Sequence, residues 1–232
     1  MKKRICVLLI SSFVFFSCAK EKAKNEVQEQ FVLNINISNA DGNLSYLHKL
    51  TNSKTIPSDS AIIKNSKVTF KGSIEYPERH LLTITNVFGG KLIILENDTI
   101  NVQADKNDLT KATISSSLIN SELADVQQKS MNIYDKMDLF FPDLQRARLE
   151  NDAEKLSHIA LKMKAIEKEN IDFNYTYAKE NPNSYISAMI LNDLSKRDSI
   201  DIKKVKVIYD TFSEEVKKCA DAEQINLLLS IH

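Results

Sequence analysis

The chain is poor in the residues that build many recognisable sites. It has 232 residues but only 4 Gly, 4 Pro and 3 Cys, and no Trp. Four scattered glycines cannot form a GxGxxG or GxxxxGK loop, so a backbone cradle for phosphate is excluded. Three cysteines exclude a disulfide-knit scaffold and any four-cysteine zinc or iron–sulfur centre. An excess of one charge is also lacking: 31 Lys+Arg balance 31 Asp+Glu. Without a basic face to displace counterions, nucleic acid is not an expected partner. What is present is 43% apolar residues, enough for a packed core. The length allows one large domain or two small ones.

The N-terminus carries a targeting pattern. Lys2, Lys3 and Arg4 precede a largely apolar run over residues 5–16, followed by Ser17 and Cys18. A basic cap and about a dozen apolar residues make a secretory signal, too short to span a bilayer of roughly 30 Å. Phe15-Phe16-Ser17-Cys18 resembles a bacterial lipobox, with the small residue and the cysteine in place and phenylalanines where aliphatic or small residues are commoner. The resemblance implies cleavage before Cys18 and acylation of its thiol, an anchor of two or three chains. The alternative is an ordinary signal peptide with an incidental cysteine. Loss of residues 1–17 removes Lys2, Lys3 and Arg4 and no acid, so the mature net charge falls from zero to −3. Residues 18–29 are expected to be a polar tether, reaching about 35 Å at ~3.3 Å per residue. The expected location is a Gram-negative envelope, facing the periplasm, because no acidic cluster follows the cysteine.

Two periodicities divide the remainder. In residues 31–38, Phe31, Leu33, Ile35 and Ile37 alternate with Val32, Asn34, Asn36 and Ser38, a half-buried strand. Residues 44–50 resume an extended pattern. Further strands are expected at 60–64, 67–74, 80–86, 91–96, 99–104 and 112–115, separated by turn residues such as Asn65-Ser66, Gly89-Gly90 and Asn97-Asp98. After Ser117 the period becomes 3.6. Helices are expected at 119–137, 143–151 and 152–180, and another after the Ser184 cap. A continuous stripe then runs through Ile202, Val205, Tyr209, Phe212, Val216 and Cys219, and Asp221 with Gln224 reads as a capping box for a last helix. The expected class is α+β: an antiparallel β-sandwich or partly open barrel over residues 30–116, then an all-helical bundle over 117–232.

Four stretches carry a wider resemblance: residues 56–74 (IPSDSAIIKNSKVTFKGSI), 92–102 (LIILENDTINV), 113–123 (TISSSLINSEL) and 181–191 (NPNSYISAMIL). In order and spacing they resemble envelope lipoproteins that carry domain of unknown function 4369. The likeness runs over roughly residues 27–232. In much of that family a thioredoxin-like thiol–disulfide oxidoreductase module of the TlpA/ResA kind follows. No CxxC pair occurs in residues 1–232, so the family's redox residues carry over to no position here. Turn positions where the family often has glycine read Asn65-Ser66, Asn97-Asp98 and Ser116, and Asn and Asp tolerate the left-handed conformation.

Chemistry-bearing residues are sparse. Cys219 lies on the apolar stripe, so it reads as a small core hydrophobe. Exposed beside Lys217 and Lys218, it would instead be a reactive thiol. His48, His80 and His158 lack the neighbours a zinc site needs, and Glu75, Glu78 and His80 flank a turn at Pro77 and read as solvated. The acid pairs Glu214-Glu215 and Asp193/Asp198 read as solvated helix faces, and no nucleophile motif occurs. Asp59-Ser60, Asp98-Thr99 and Asp198-Ser199 each precede an aliphatic or small residue. They resemble the acceptor of an envelope O-glycosylation system, which makes Ser60, Thr99 and Ser199 candidate sites; at Asp198-Ser199 a helix cap is the stronger reading. The expectation is therefore a non-enzymatic, lipid-anchored binding or docking module without cofactor or metal. Its partners would be the membrane, through the lipid on Cys18, and an envelope protein. The rivals are an accessory that serves a separate thioredoxin-like protein in trans, and a small-ligand-binding lipoprotein.

Overall fold

The structure, a computed structural model, describes residues 30–51 and 54–231. The signal sequence, Cys18 and the tether up to residue 29 lie outside the described residues. Eight strands come first: β1 (Phe31–Ser38), β2 (Leu44–Leu50), β3 (Thr55–Ile62), β4 (Lys67–Gly72), β5 (Glu78–Ile84), β6 (Lys91–Leu95), β7 (Thr99–Asp105) and β8 (Asp108–Ser115). They form two four-stranded sheets, sheet A in the order β4-β1-β7-β8 and sheet B in the order β3-β2-β5-β6. This is a sandwich, and the barrel alternative is not adopted. Sheet A is mixed, because β1 runs parallel to β7 while the other pairs are antiparallel. The inward phase of each strand fills the space between the sheets: Leu33, Ile35 and Ile37 from β1 meet Leu47, Leu82, Ile93, Leu95 and Ile100.

Left-handed turns join the strands where the sequence offers Asn, Ser or Gly. Asn65, Ser66 and Ser116 take positive φ at 51°, 59° and 63°. Asn97 does something different. Its side-chain oxygen accepts from the Ile74 N–H at 3.1 Å and its nitrogen donates to the Ile74 carbonyl at 2.7 Å, imitating one step of strand pairing.

The helical half follows. Helix α1 (Leu118–Tyr134) is capped by Ser117 and runs through a 3-10 segment (Asp135–Phe140) into α2 (Phe141–Leu149). Helix α3 (Ala153–Glu180) is capped by Asp152 and α4 (Tyr185–Ser195) by Ser184, each side chain taking up an N–H that the first turn leaves free. The apolar stripe after residue 201 is not one helix. Helix α5 (Ile202–Thr211) ends before Phe212, a 3-10 turn (Val216–Lys218) follows, and α6 (Ala220–Ile231) closes the described chain. Val205, Phe212, Val216 and Cys219 still share one core with Leu191, Leu194 and Ile225. No helix among the described residues is long and apolar enough to cross a membrane.

The two halves meet at the β5–β6 end of sheet B. Ile94 of β6 points away from the sandwich interior and packs with Ile119, Val126, Ile186 and Met189 from α1 and α4. Burying Ile94 completely contributes about 2 kcal/mol. The helices thus cover the β5–β6 end of sheet B and reach the β8 edge, and leave the outer face of sheet A open over β4, β1 and β7.

Candidate functional site

The open face is assembled by register. Asn34 of β1 lies opposite Thr69 of β4 and Asn101 of β7, and Asn101 lies opposite Ser115 of β8. Two residues along, Asn36 lies opposite Lys67 and Gln103, and Gln103 opposite Thr113. Side chains two apart on a strand share a face, so these eight make a grid of two rows across four strands. A groove of about 360 Å³ runs over the grid. Among its lining residues Lys67 carries the one charge. Its centre is amide: Asn34, Asn36, Asn101 and Gln103, which donate and accept hydrogen bonds without carrying charge.

The opposite side of the sandwich holds a rigid seam. The Arg79 guanidinium of β5 stands opposite Ile94 and reaches the helical half. It contacts Asp193 of α4 at 2.8 Å and Asp221 of α6 at 3.0 Å, and donates to the Met189 carbonyl at 2.6 Å. Burial opposes the charge on Arg79, but the two carboxylates outweigh it and hold its pKa above the ordinary value. Asn192 adds a 2.6 Å hydrogen bond to Asp221. Beside this cluster, Asn120 of α1 plugs the edge of β6. Its oxygen accepts from the Ile94 N–H at 2.9 Å and its nitrogen donates to the Ile94 carbonyl at 2.7 Å. An exposed edge strand is thereby closed by a helix side chain.

The residues singled out in the sequence are spread over the molecule. Cys219 is 1% exposed in the helical core, and burial pushes its thiol up to about 11, the opposite of an activated cysteine. His80 is 4% exposed and Glu78 half-buried, so of the three residues read as solvated only Glu75 is exposed. Its Nδ1 finds no hydrogen-bond partner among the described residues, and burial lowers its pKa. Glu78 pairs with Lys49 at 2.8 Å. His48 bonds Thr83 at 3.0 Å, and His158 is exposed on α3. Among the described residues no three His, Cys, Asp or Glu side chains are placed to hold a metal ion.

Ser60 and Ser199 are exposed and Thr99 half-exposed. The N–H groups of Ser60, inside β3, and Thr99, at the start of β7, donate to Asp59 and Asp98 at 2.7 and 2.6 Å. Ser199 lies in the turn before α5, whose cap is Asp201, accepting from the Lys204 N–H at 3.0 Å; the cap reading at Asp198-Ser199 is displaced by three residues. Asp221 lies inside the first turn of α6 and serves the Arg79 cluster. Asp193 is likewise held by Arg79, while Glu214 and Glu215 pair with Lys217 and Lys218 on the surface. Lipid attachment at Cys18 falls outside the described residues.

Neither the grid nor the Arg79 cluster was singled out in the sequence. The polar phase of β1 and β7 is visible there, but its pairing across the sheet is not. Residues 31–123 match the family described as Domain of unknown function (DUF4369), a segment that spans all eight strands and continues into α1 past Asn120. That segment of the chain is a DUF4369 domain, and its matched end takes in the helix residue that closes the β6 edge. No curated protein matches the chain.

Proposed function

We propose that this protein is a non-catalytic binding module of a Gram-negative cell envelope, anchored by lipid on Cys18, facing the periplasm and working through the outer face of sheet A. The observation that carries the reading is the amide grid. The helical half occupies the β5–β6 end of sheet B, while the outer face of sheet A presents a groove centred on four amides with one charged residue, Lys67, in its lining. The helical half acts as a buttress. Arg79 and Asn120 tie it to β5 and β6, so the sandwich is held from behind while its free face meets a ligand. The buried thiol of Cys219 supports a role without thiol exchange.

In-cell cross-linking tests this reading. A photoreactive residue at Gln103 is expected to capture an envelope component, one at Val207 on α5 is not, and Cys18→Ala is expected to abolish both membrane retention and capture. Capture from Val207 alone, or retention unaffected by Cys18→Ala, overturns the proposal.

A further inference from the structure

The two rows of the grid differ in a way that identifies a ligand chemistry; this step rests on the binding-module reading. In the first row Thr69 Oγ1 donates to Asn34 Oδ1 at 3.2 Å, Asn34 Nδ2 donates to Asn101 Oδ1 at 3.2 Å, and Asn101 Nδ2 donates to Ser116 Oγ at 3.0 Å. This chain of bonds fixes both amides in place. In the second row the side chains of Lys67, Asn36, Gln103 and Thr113 make no hydrogen bond among the described residues. A tied row therefore lies beside a row whose polar groups are free.

We infer that this face binds a neutral polyhydroxylated chain, an oligosaccharide laid across β1 and β7. Each free amide offers two donors and an acceptor, and each hydroxyl both donates and accepts, so the two groups can satisfy one another in pairs. Adjacent strands place successive amides about 4.8 Å apart, comparable with the advance of one sugar unit along an extended glycan. A polyanion would find one ammonium and a polycation no carboxylate in the lining. A peptide cannot add as a strand here, because β1 and β7 are central and their backbone groups already bond neighbours on both sides. The tied first row keeps the ligand from having to order the face, which lowers the entropic cost of binding.

Saturation-transfer NMR on the full chain in detergent tests the inference. The probes are neutral tetrasaccharides (β-1,4-linked glucose, β-1,4-linked N-acetylglucosamine and α-1,4-linked glucose) beside a Ser-Gly repeat peptide. Transfer to at least one saccharide is expected. Asn36→Ala combined with Gln103→Ala should weaken it about tenfold or more, through the loss of two hydrogen-bonding groups. The thermal midpoint should not change, since neither amide has a partner within the fold. Lys203→Ala on α5 should leave transfer unaltered. Absence of transfer to every saccharide at millimolar concentration, transfer untouched by the double variant, or transfer to the peptide alone overturns the inference. If saccharides fail while Gln103 still captures an envelope component in cells, the ligand class falls and the binding-module reading stands; failure of both removes both.

Discussion

Replacing Arg79 with alanine should loosen the join between the two halves more than any exposed charge change. The Arg79 side chain is 17% exposed and Asp221 13%, whereas Asp193 is 56% exposed. The Asp193 arm is therefore a surface pair, contributing at most about 1 kcal/mol. The Asp221 arm is different, because truncation leaves a desolvated carboxylate without its cation, a loss of roughly 3–5 kcal/mol. Asn192 still donates to Asp221, which places the cost near the low end, about 3 kcal/mol. For a chain of this length that lowers the midpoint of thermal unfolding by about 6–12 °C. The assay is urea and thermal unfolding of Arg79→Ala, Asp221→Ala and the double variant. A coupling of about 2 kcal/mol is expected from the cycle. Coupling below about 0.5 kcal/mol would refute the assignment of Arg79 and Asp221 as the lock between the halves.

Three further outcomes test the packing. Asn120→Ala leaves the buried N–H and carbonyl of Ile94 without partners, so it should cost about 2–4 kcal/mol and speed amide exchange at Ile94; unchanged exchange would contradict the edge-closing role. Cys219, with its thiol pushed up to about 11, leaves about one thiol in a thousand ionised at pH 8, so peptide mapping should show iodoacetamide labelling only after unfolding. Labelling of the folded chain at the rate of a free thiol would show the site to be open. His80 has a folded pKa below its ordinary 6.5, so the folded state binds fewer protons than the unfolded state as pH falls past that value. Stability present above pH 6.5 should decline toward pH 5 in the wild type and decline less in His80→Leu. Parallel profiles for the two would show that His80 does not titrate in that window.

How far the sequence foretold the structure varied with the physics of each element. Strands whose inward phase is apolar, such as β1 and β7, were legible because alternation reports burial directly. β3 was placed five residues late: residues 55–59 are exposed on both faces, show no inward apolar phase, contain Pro57, and are held on the sheet edge by backbone bonds to β2. The stripe from Ile202 to Cys219 named the core residues Val205, Phe212, Val216 and Cys219 but neither Ile208 nor the break after Thr211, because periodicity records which side chains are buried, not whether the backbone helix is continuous. The parallel pairing of β1 with β7 brings together residues more than sixty positions apart, and no local pattern encodes it. The same separation hid the amide grid. Arg79 was hidden too, since its partners lie 114 and 142 positions away and its neighbourhood at Pro77 reads locally as a turn.

Lysine reactivity in intact envelopes, compared with the same chain purified in detergent, bears most directly on the claim that the outer face of sheet A is the working surface. Lys67 lies in the groove, while Lys164 of α3 and Lys203 of α5 are exposed on the helical half. Lys67 should be slow to acylate in envelopes and fast in detergent, with Lys164 and Lys203 reacting alike in both. Equal reactivity of Lys67 in the two settings, with Lys164 or Lys203 protected in envelopes, would contradict it and move the binding surface to the helices.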